Sequence, residues 1–148
     1  MKKILVINGP NLNMLGTRET NIYGNLTLEE LEKRTKDKLA ITQPGLEMTW
    51  WQSNSESEII ERIHQLTNEN YDALIINPAA FSHTSIAILD ALKILQKPIA
   101  EVHLSNVYAR ESYRHSLLTA QAASIIMGGL GLEAYYFAAL ALVEINKG

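Results

Sequence analysis

The sequence predicts an α/β fold built on a parallel sheet, and two observations support this prediction. Short apolar runs alternate along the chain with longer segments whose apolar residues recur at helical spacing. Such alternation is typical of βαβ units, in which helices connect parallel strands. The chain has 148 residues, of which 47% are hydrophobic and 20% are charged, an ordinary composition for a globular protein. We therefore expect a single domain spanning residues 1–148.

Five short apolar runs are predicted to be strands, and polar or turn residues follow them. The first run ends at Asn8, before Gly9 and Pro10, and the third ends before Asn77. The second run alternates apolar with polar side chains, as a half-buried strand does. Its two tryptophans, Trp50 and Trp51, are expected to pack in the core or at an interface. The predicted strands cover residues 3–7, 46–52, 73–76, 98–102 and 124–127.

Helices are predicted between the first four strands and after the fifth. Thr27 and Glu30 have the spacing of a capping box, which closes the first turn of a helix, and Ser55 and Glu58 repeat the pattern. Further helices are expected over residues 85–95 and after the glycine-rich turn at residues 128–131. Five strands connected in this way suggest a flavodoxin-like, doubly wound five-stranded parallel sheet with helices on both faces.

Charge and composition exclude several classes of protein. The net charge is −3, whereas a nucleic-acid-binding domain usually carries a basic surface, so no nucleic-acid partner is expected. The absence of cysteine excludes a disulfide framework, a thiolate nucleophile and a cysteine–metal site. The N-terminal segment has too few consecutive apolar residues for a signal peptide. No run approaches the ~20 apolar residues of a membrane span, so we expect a cytoplasmic protein.

Polar side chains follow three of the predicted strands, at the edge of the sheet where ligands bind in open α/β folds. Asn8 follows the first strand, Asn77 the third and His103 the fourth. Because parallel strands all end at the same edge, the residues just beyond them should gather there. The sequence predicts that this group includes Asn11, Arg18, Tyr23, Ser82, His83, Ser105, Asn106, Arg110 and Arg114.

The residue types alone leave several chemistries open. His83 and His103 have no acidic partners at metal-ligand spacing, and no lysine follows a strand to form an imine. The glycine-rich turn lacks the spacing of a dinucleotide or P-loop motif. A hydrolase based on Ser82, His83 and Asp90 is conceivable, although Ser82 is not in a nucleophile elbow. A non-catalytic module that binds a small polar acid is a further alternative.

Three long motifs, in order along the chain, resemble those of type II 3-dehydroquinate dehydratase. The first is Gly-Pro-Asn-Leu-Asn-Met-Leu-Gly-Thr-Arg-Glu at residues 9–19, followed by Tyr23 and Gly24. The second, at residues 77–85, is Asn-Pro-Ala-Ala-Phe-Ser-His-Thr-Ser, and the third, at residues 101–106, is Glu-Val-His-Leu-Ser-Asn. The resemblance covers essentially the whole chain. It implies a flavodoxin-like fold, a homododecamer built from trimers and no cofactor.

The same resemblance implies a reaction and a mobile lid. The family converts 3-dehydroquinate to 3-dehydroshikimate by trans elimination of water through an enolate, and residues 9–26 would form the lid. The chain departs from the family at several positions. Phe81 stands where tyrosine is usual, Ser82 where threonine is common, Ala79 where glycine is common and Thr20 where proline is frequent. None of these positions carries a residue matched to a catalytic role.

Elimination of water from a β-hydroxy ketone needs a base, donors for the enolate oxygen and an acid for the departing hydroxyl. Tyr23 can be the base only as tyrosinate, and its reference pKa is about 10. Lowering that pKa by about three units takes about 4 kcal/mol. A cation at about 4 Å supplies about that much at an effective dielectric of about 20. Arg18, five residues earlier, is the expected activator.

His103 suits the general acid, because histidine titrates near neutral pH. Glu101 lies two residues earlier on the same strand, so both side chains should share one face, where Glu101 can set the imidazole tautomer. The resemblance implies that Asn11 positions a water or the enolate. It also implies that a set of residues holds the substrate's carboxylate and hydroxyls: Asn77, His83, Leu104, Ser105 and Arg114. Asp90 would reach the site of a neighbouring subunit.

Overall fold

The structure, a computed structural model, describes residues 1–17 and 20–148. Five strands form one sheet in the order β2-β1-β3-β4-β5, and every neighbouring pair is parallel. This is the doubly wound order expected for a flavodoxin-like fold, so the predicted fold class is confirmed. The strands are β1 (Lys3–Asn8), β2 (Glu47–Gln52), β3 (Ala73–Asn77), β4 (Ile99–His103) and β5 (Ile125–Gly128).

Helices cover both faces of the sheet, because successive strand residues point to opposite sides. Ile4 and Val6 pack in one core cluster and Leu5 and Ile7 in the other. The first cluster is completed by α2 and α5, the second by α3 and α4. The helices are α1 (Thr20–Tyr23), α2 (Leu28–Thr42), α3 (Glu56–Leu66), α4 (Ile86–Ile94) and α5 (Ala134–Ile145).

The predicted helix starts are confirmed by their caps. The hydroxyl of Thr27 accepts the backbone N–H of Glu30 at 3.1 Å, and that of Ser55 accepts the N–H of Glu58 at 3.3 Å. Each bond satisfies a backbone donor that the first helical turn leaves unpaired. Between β4 and β5 the chain forms three short 3-10 turns, Val107–Ala109, Ser112–Arg114 and Thr119–Ala122, instead of a long helix.

No helix in the described part of the chain is long and apolar enough to cross a membrane.

The loops after β1 and β3 touch at the carboxyl edge of the sheet. The N–H of Gly9 donates to the Asn77 carbonyl at 2.8 Å. A Cβ at residue 9 would lie 2.5 Å from the carbonyl oxygen of Pro78, so only glycine permits this approach. Directly after Pro78, Ala79 has a φ of 53°, in the left-handed region that L-residues other than glycine rarely adopt. The site is therefore built on a strained turn.

We predict that Ala79→Gly stabilises the protein. The left-handed conformation costs an alanine roughly 1–2 kcal/mol, and glycine gives back roughly 0.5–1 kcal/mol of that in chain entropy. The free energy of unfolding, measured by urea denaturation, should therefore rise by roughly 0.5–1 kcal/mol.

The matched control is Ala80→Gly, one residue further along the same 3-10 helix, where φ is negative. There the glycine relieves no strain and should only destabilise the protein. Equal losses of stability in the two variants would contradict the strain at Ala79.

Candidate functional site

A cavity of about 130 Å³ lies at the carboxyl edge of the sheet, among the segments that follow β1, β3 and β4. This is the position at which open α/β sheets bind ligands. Eight of the residues singled out in the sequence line it: Asn11, Asn77, His83, His103, Leu104, Ser105, Arg110 and Arg114. The structure therefore brings together most of the candidate site.

Among the other candidates, Glu101 and Asp90 do not line this cavity. Glu101 is fully buried, next to His103 on β4. Asp90 lies exposed on α4 and does not line the cavity. Tyr23 ends α1, but the position of its side chain, like Arg18 as a whole, lies outside the part of the chain that the structure describes.

His103 and Glu101 form a buried pair, as their spacing on one strand predicted. The Nε2 atom of His103 lies 2.9 Å from Oε2 of Glu101, and the two side chains are 7% and 0% exposed. The other carboxylate oxygen accepts the hydroxyl of Thr119, which is itself fully buried. Because an ionised carboxylate can only accept, Nε2 carries the proton and Nδ1 is the nitrogen left for proton exchange with a ligand.

His83 lies beside His103, with ring centroids 6.4 Å apart. Its Nδ1 lies 2.8 Å from the carbonyl oxygen of Ser116, so Nδ1 must carry the proton that is donated there. Partial burial lowers the pKa of His83, although the bond to Ser116 opposes this shift. His83 is accordingly a neutral side chain at pH 7, with Nε2 as an acceptor.

The geometry contradicts a hydrolase based on Ser82, His83 and Asp90. The hydroxyl of Ser82 is buried and donates to the carbonyl of Ala79 at 2.8 Å. The nearest nitrogen of His83, at 3.5 Å, is the protonated Nδ1 and cannot act as a base. Asp90 is exposed on α4. Adjacent residues on this turn thus do not form a nucleophile–base pair.

The cavity favours an anionic ligand. Arg110 and Arg114 both line it, and no acidic residue is among its described lining residues. Arg114 is held by Glu111, whose carboxylate accepts its Nε–H at 2.9 Å. A bond from its own backbone and the Arg114 guanidinium lower the pKa of Glu111 to about 2, so the carboxylate stays ionised. The fixed guanidinium suits a carboxylate, which it can bind through two parallel hydrogen bonds.

Asn11 enters the cavity from the loop after β1 in a left-handed conformation, with a φ of 68°. Asparagine tolerates this conformation better than most residues. Its N–H donates to Oδ1 of Asn54 at 2.9 Å, and Gln52 donates both to the same oxygen and to the carbonyl of Gly9, each at 3.1 Å. Neither Gln52 nor Asn54 was among the predicted site residues, although Gln52 ends β2 and Asn54 follows it, at the edge where the other polar residues lie.

Tyr135, at the start of α5, is a further residue that was not among the predicted site residues. It is fully buried, and its hydroxyl lies between the side chains of Asn8 and Asn77, which pair across β1 and β3. Thr119 was missed as well. A tyrosine in an apolar helix and a threonine in a loop carry no local signal, because their partners are distant in sequence.

Within residues 1–17 and 20–148, no three His, Cys, Asp or Glu side chains are grouped so as to hold a metal ion. The polar groups at the cavity are histidine, amide, hydroxyl, backbone and guanidinium groups, which are suited to hydrogen bonds with the oxygen atoms of an organic ligand.

Comparisons with known proteins give matches over nearly the whole chain. The family model for class II dehydroquinase matches residues 2–143. The 3-dehydroquinate dehydratase of Caldicellulosiruptor bescii is 48% identical over 145 residues, which cover 98% of this chain and 99% of the relative. That of Clostridium botulinum strain Loch Maree is 50% identical over 138 residues, 93% of this chain and 92% of the relative.

Solved structures agree. The type II dehydroquinase from Butyrivibrio crossotus has a TM-score of 0.90 at 42% identity, and the match covers 95% of this chain and 97% of that one. The type II dehydroquinase from Propionibacterium acnes has a TM-score of 0.88 at 40% identity, with coverages of 100% and 98%.

Fold and cavity together define an α/β enzyme of the flavodoxin-like class, with its site at the carboxyl edge of the sheet. The matches identify the family within that class. The chain belongs to the class II dehydroquinase family.

Proposed function

We propose how the residues around this cavity carry out the reaction of the family. The reaction, which this chain catalyses, is the elimination of water from 3-dehydroquinate to give 3-dehydroshikimate, a step of the shikimate pathway towards aromatic amino acids. The observation that carries the assignment of roles is the buried His103–Glu101 pair at a cavity whose described lining is basic and free of acidic groups.

The substrate is a carboxylic acid that also carries hydroxyl groups, and the cavity offers complementary groups. Arg114, fixed by Glu111, would bind the carboxylate. The amide of Asn77, Nε2 of His83 and the backbone of Leu104 and Ser105 would hold the hydroxyls and the remaining carboxylate oxygen. These contacts place the substrate with one face towards His103.

His103 is the proposed general acid. Glu101 accepts from Nε2 and stabilises the imidazolium, which then donates from Nδ1 to the departing hydroxyl group. Proton donation is needed because hydroxide is a poor leaving group. The buried carboxylate keeps the ring in one orientation between turnovers, so that no reorganisation is needed when the proton moves.

Tyr23 is the proposed base and Arg18 its activator. As tyrosinate, Tyr23 would take the proton next to the ketone from the face opposite His103, which gives trans elimination through an enolate. Asn11, held by Asn54, would position a water or the enolate oxygen. Both Arg18 and Tyr23 belong to the proposed lid at residues 9–26, whose first part is braced by Gln52 and Asn54.

Two features accord with the proposed homododecamer built from trimers. Asp90 is exposed and outside its own chain's cavity, which leaves it available to a neighbouring subunit's site. Ile126 on the edge strand β5 and Phe137 on α5 are 55% and 43% exposed, an apolar surface that suits burial between subunits.

We expect His103→Ala to bind 3-dehydroquinate but to lose turnover by at least about 100-fold, the low end for removal of an acid–base group. Turnover is followed by the ultraviolet absorbance of the conjugated product. Ser82→Ala is the control, because Ser82 only braces the turn of Ala79, and it should keep most of its activity. Loss of turnover in the Ser82 variant with His103→Ala spared would contradict these roles.

Arg18→Gln should change the pH dependence of kcat. Without the cation, Tyr23 returns towards its reference pKa of about 10, so that less tyrosinate is present at pH 7. The kcat profile should lose its neutral plateau and rise into the alkaline range, while Tyr23→Phe should abolish turnover at every pH and leave the protein folded.

The measurement is kcat from about pH 6 to 10, the range in which a tyrosine can titrate. If Arg18→Gln keeps the wild-type profile and only scales it down, Arg18 orients the substrate instead. Arg110 and Arg114, which line the cavity, are then the cations to test as activators.

Light scattering at micromolar concentration should give a mass many times the 16.5 kDa of one chain. The proposed burial of Ile126 and Phe137 between subunits predicts that Ile126→Glu shifts the protein towards smaller species. Ile41→Glu, at an isoleucine of α2 that is 82% exposed, serves as the control. A clean monomer for the unsubstituted protein would rule out the proposed assembly.

A further inference from the structure

A chain of hydrogen bonds runs from the cavity into the core through residues of three elements. The N–H of Ala79 donates to Oδ1 of Asn77 at 3.1 Å. Nδ2 of Asn77 donates to the hydroxyl of Tyr135 at 3.0 Å, and that hydroxyl donates to Oδ1 of Asn8 at 2.5 Å. Asn8, Asn77 and Tyr135 are 0%, 3% and 0% exposed, so water does not compete for these groups.

The donors and acceptors in this series of hydrogen bonds can be assigned from the end at the cavity. A backbone N–H can only donate, so the atom of Asn77 facing Ala79 must be the oxygen. The amide nitrogen then faces Tyr135. The hydroxyl of Tyr135 accepts a hydrogen bond from this nitrogen and donates one to Oδ1 of Asn8. Burial raises the pKa of Tyr135, against the bond from Asn77, so the hydroxyl keeps its proton and remains a donor.

We propose that Tyr135 is a positioning residue that sets the orientation of the Asn77 amide at the cavity. A flip of the Asn77 amide would set Nδ2 against the N–H of Ala79 and Oδ1 against the hydroxyl oxygen of Tyr135, whose proton is donated to Asn8. The second proton on Nδ2, which no described residue accepts, is thereby available to an oxygen of the ligand. The inference deepens the proposed function, because it rests on Asn77 as a substrate-binding residue.

The same chain also supports the strained turn. The left-handed conformation of Ala79 is held by its bond to Asn77, and this turn carries His83 towards the cavity. Loss of the Tyr135 hydroxyl therefore affects two groups at the cavity, Asn77 directly and Ala79 through Asn77.

The first test is amide hydrogen exchange, which does not depend on activity. Tyr135→Phe keeps the ring that packs on Trp50 and removes only the hydroxyl. Exchange at Ala79, read from a peptide that covers residues 78–82, should become faster. Leu142→Val, a fully buried residue of the same helix, is the control for a general loss of core stability and should leave this exchange unchanged.

Asn8→Leu is a second variant, which tests the direction of these hydrogen bonds. It removes the acceptor for the tyrosine proton but keeps the tyrosine. The hydroxyl can then donate to Asn77 and turn its amide, so exchange at Ala79 should again become faster. Unchanged exchange at Ala79 in folded Tyr135→Phe or Asn8→Leu would overturn the proposal.

The second test is kinetic, with 3-dehydroquinate as the probe. Tyr135→Phe should lower kcat/KM about tenfold, chiefly through KM, and Leu142→Val should leave both constants unchanged. In an Asn77→Ala background, Tyr135→Phe should change kcat/KM no further, because the group through which it acts is gone. Additive effects would show that Tyr135 acts by another route and would overturn the proposal.

The two tests separate the possible failures. If the unsubstituted protein does not turn over 3-dehydroquinate, the proposed roles at the cavity fail, and the exchange measurement still decides whether Tyr135 orients Asn77. If turnover is normal but exchange at Ala79 does not respond, the positioning role fails and the proposed function stands.

Discussion

The buried carboxylate of Glu101 is the group on which the geometry of the site depends. A fully buried anion is costly unless hydrogen bonds replace its lost hydration. Glu101 obtains them from His103 on its own strand and from Thr119, 18 residues further along the chain. The segment between β4 and β5 must therefore fold back on β4. In doing so it donates the N–H of Leu118 to the carbonyl of Ser82, which ties in the turn after β3.

That requirement also determines which atom of His103 can do chemistry. The carboxylate accepts a hydrogen bond from Nε2–H, so the two nitrogens of the ring are not equivalent. A strand brings the two side chains to one face by its twofold repeat alone. The sheet thus supplies, with no long-range contact, the pair that the proposed mechanism uses, and the loops supply the groups that bind the substrate.

The sequence predicted the parts of the structure that depend on local patterns. The strands, the capped helices at Thr27 and Ser55 and the shared face of Glu101 and His103 follow from periodicity and spacing, and all are present. The order of the strands and the gathering of polar residues follow from the rules for parallel sheets.

What could not be predicted depends on contacts between distant segments. Tyr135 lies 58 residues from Asn77 and 127 from Asn8, and only the folded chain shows that its hydroxyl joins them. The left-handed conformation of Ala79 was equally hidden, since alanine gives no sign of it. Each of these features comes from tertiary packing, which overrides the preference of the single residue.

The size of the cavity has a consequence for the solvent around a bound molecule. A space of about 130 Å³ has room for several water molecules. A ring with a carboxylate and hydroxyls must expel nearly all of them on entry. Few solvent molecules then remain to screen the guanidinium and imidazole groups, whose fields act on the bound molecule at low effective dielectric.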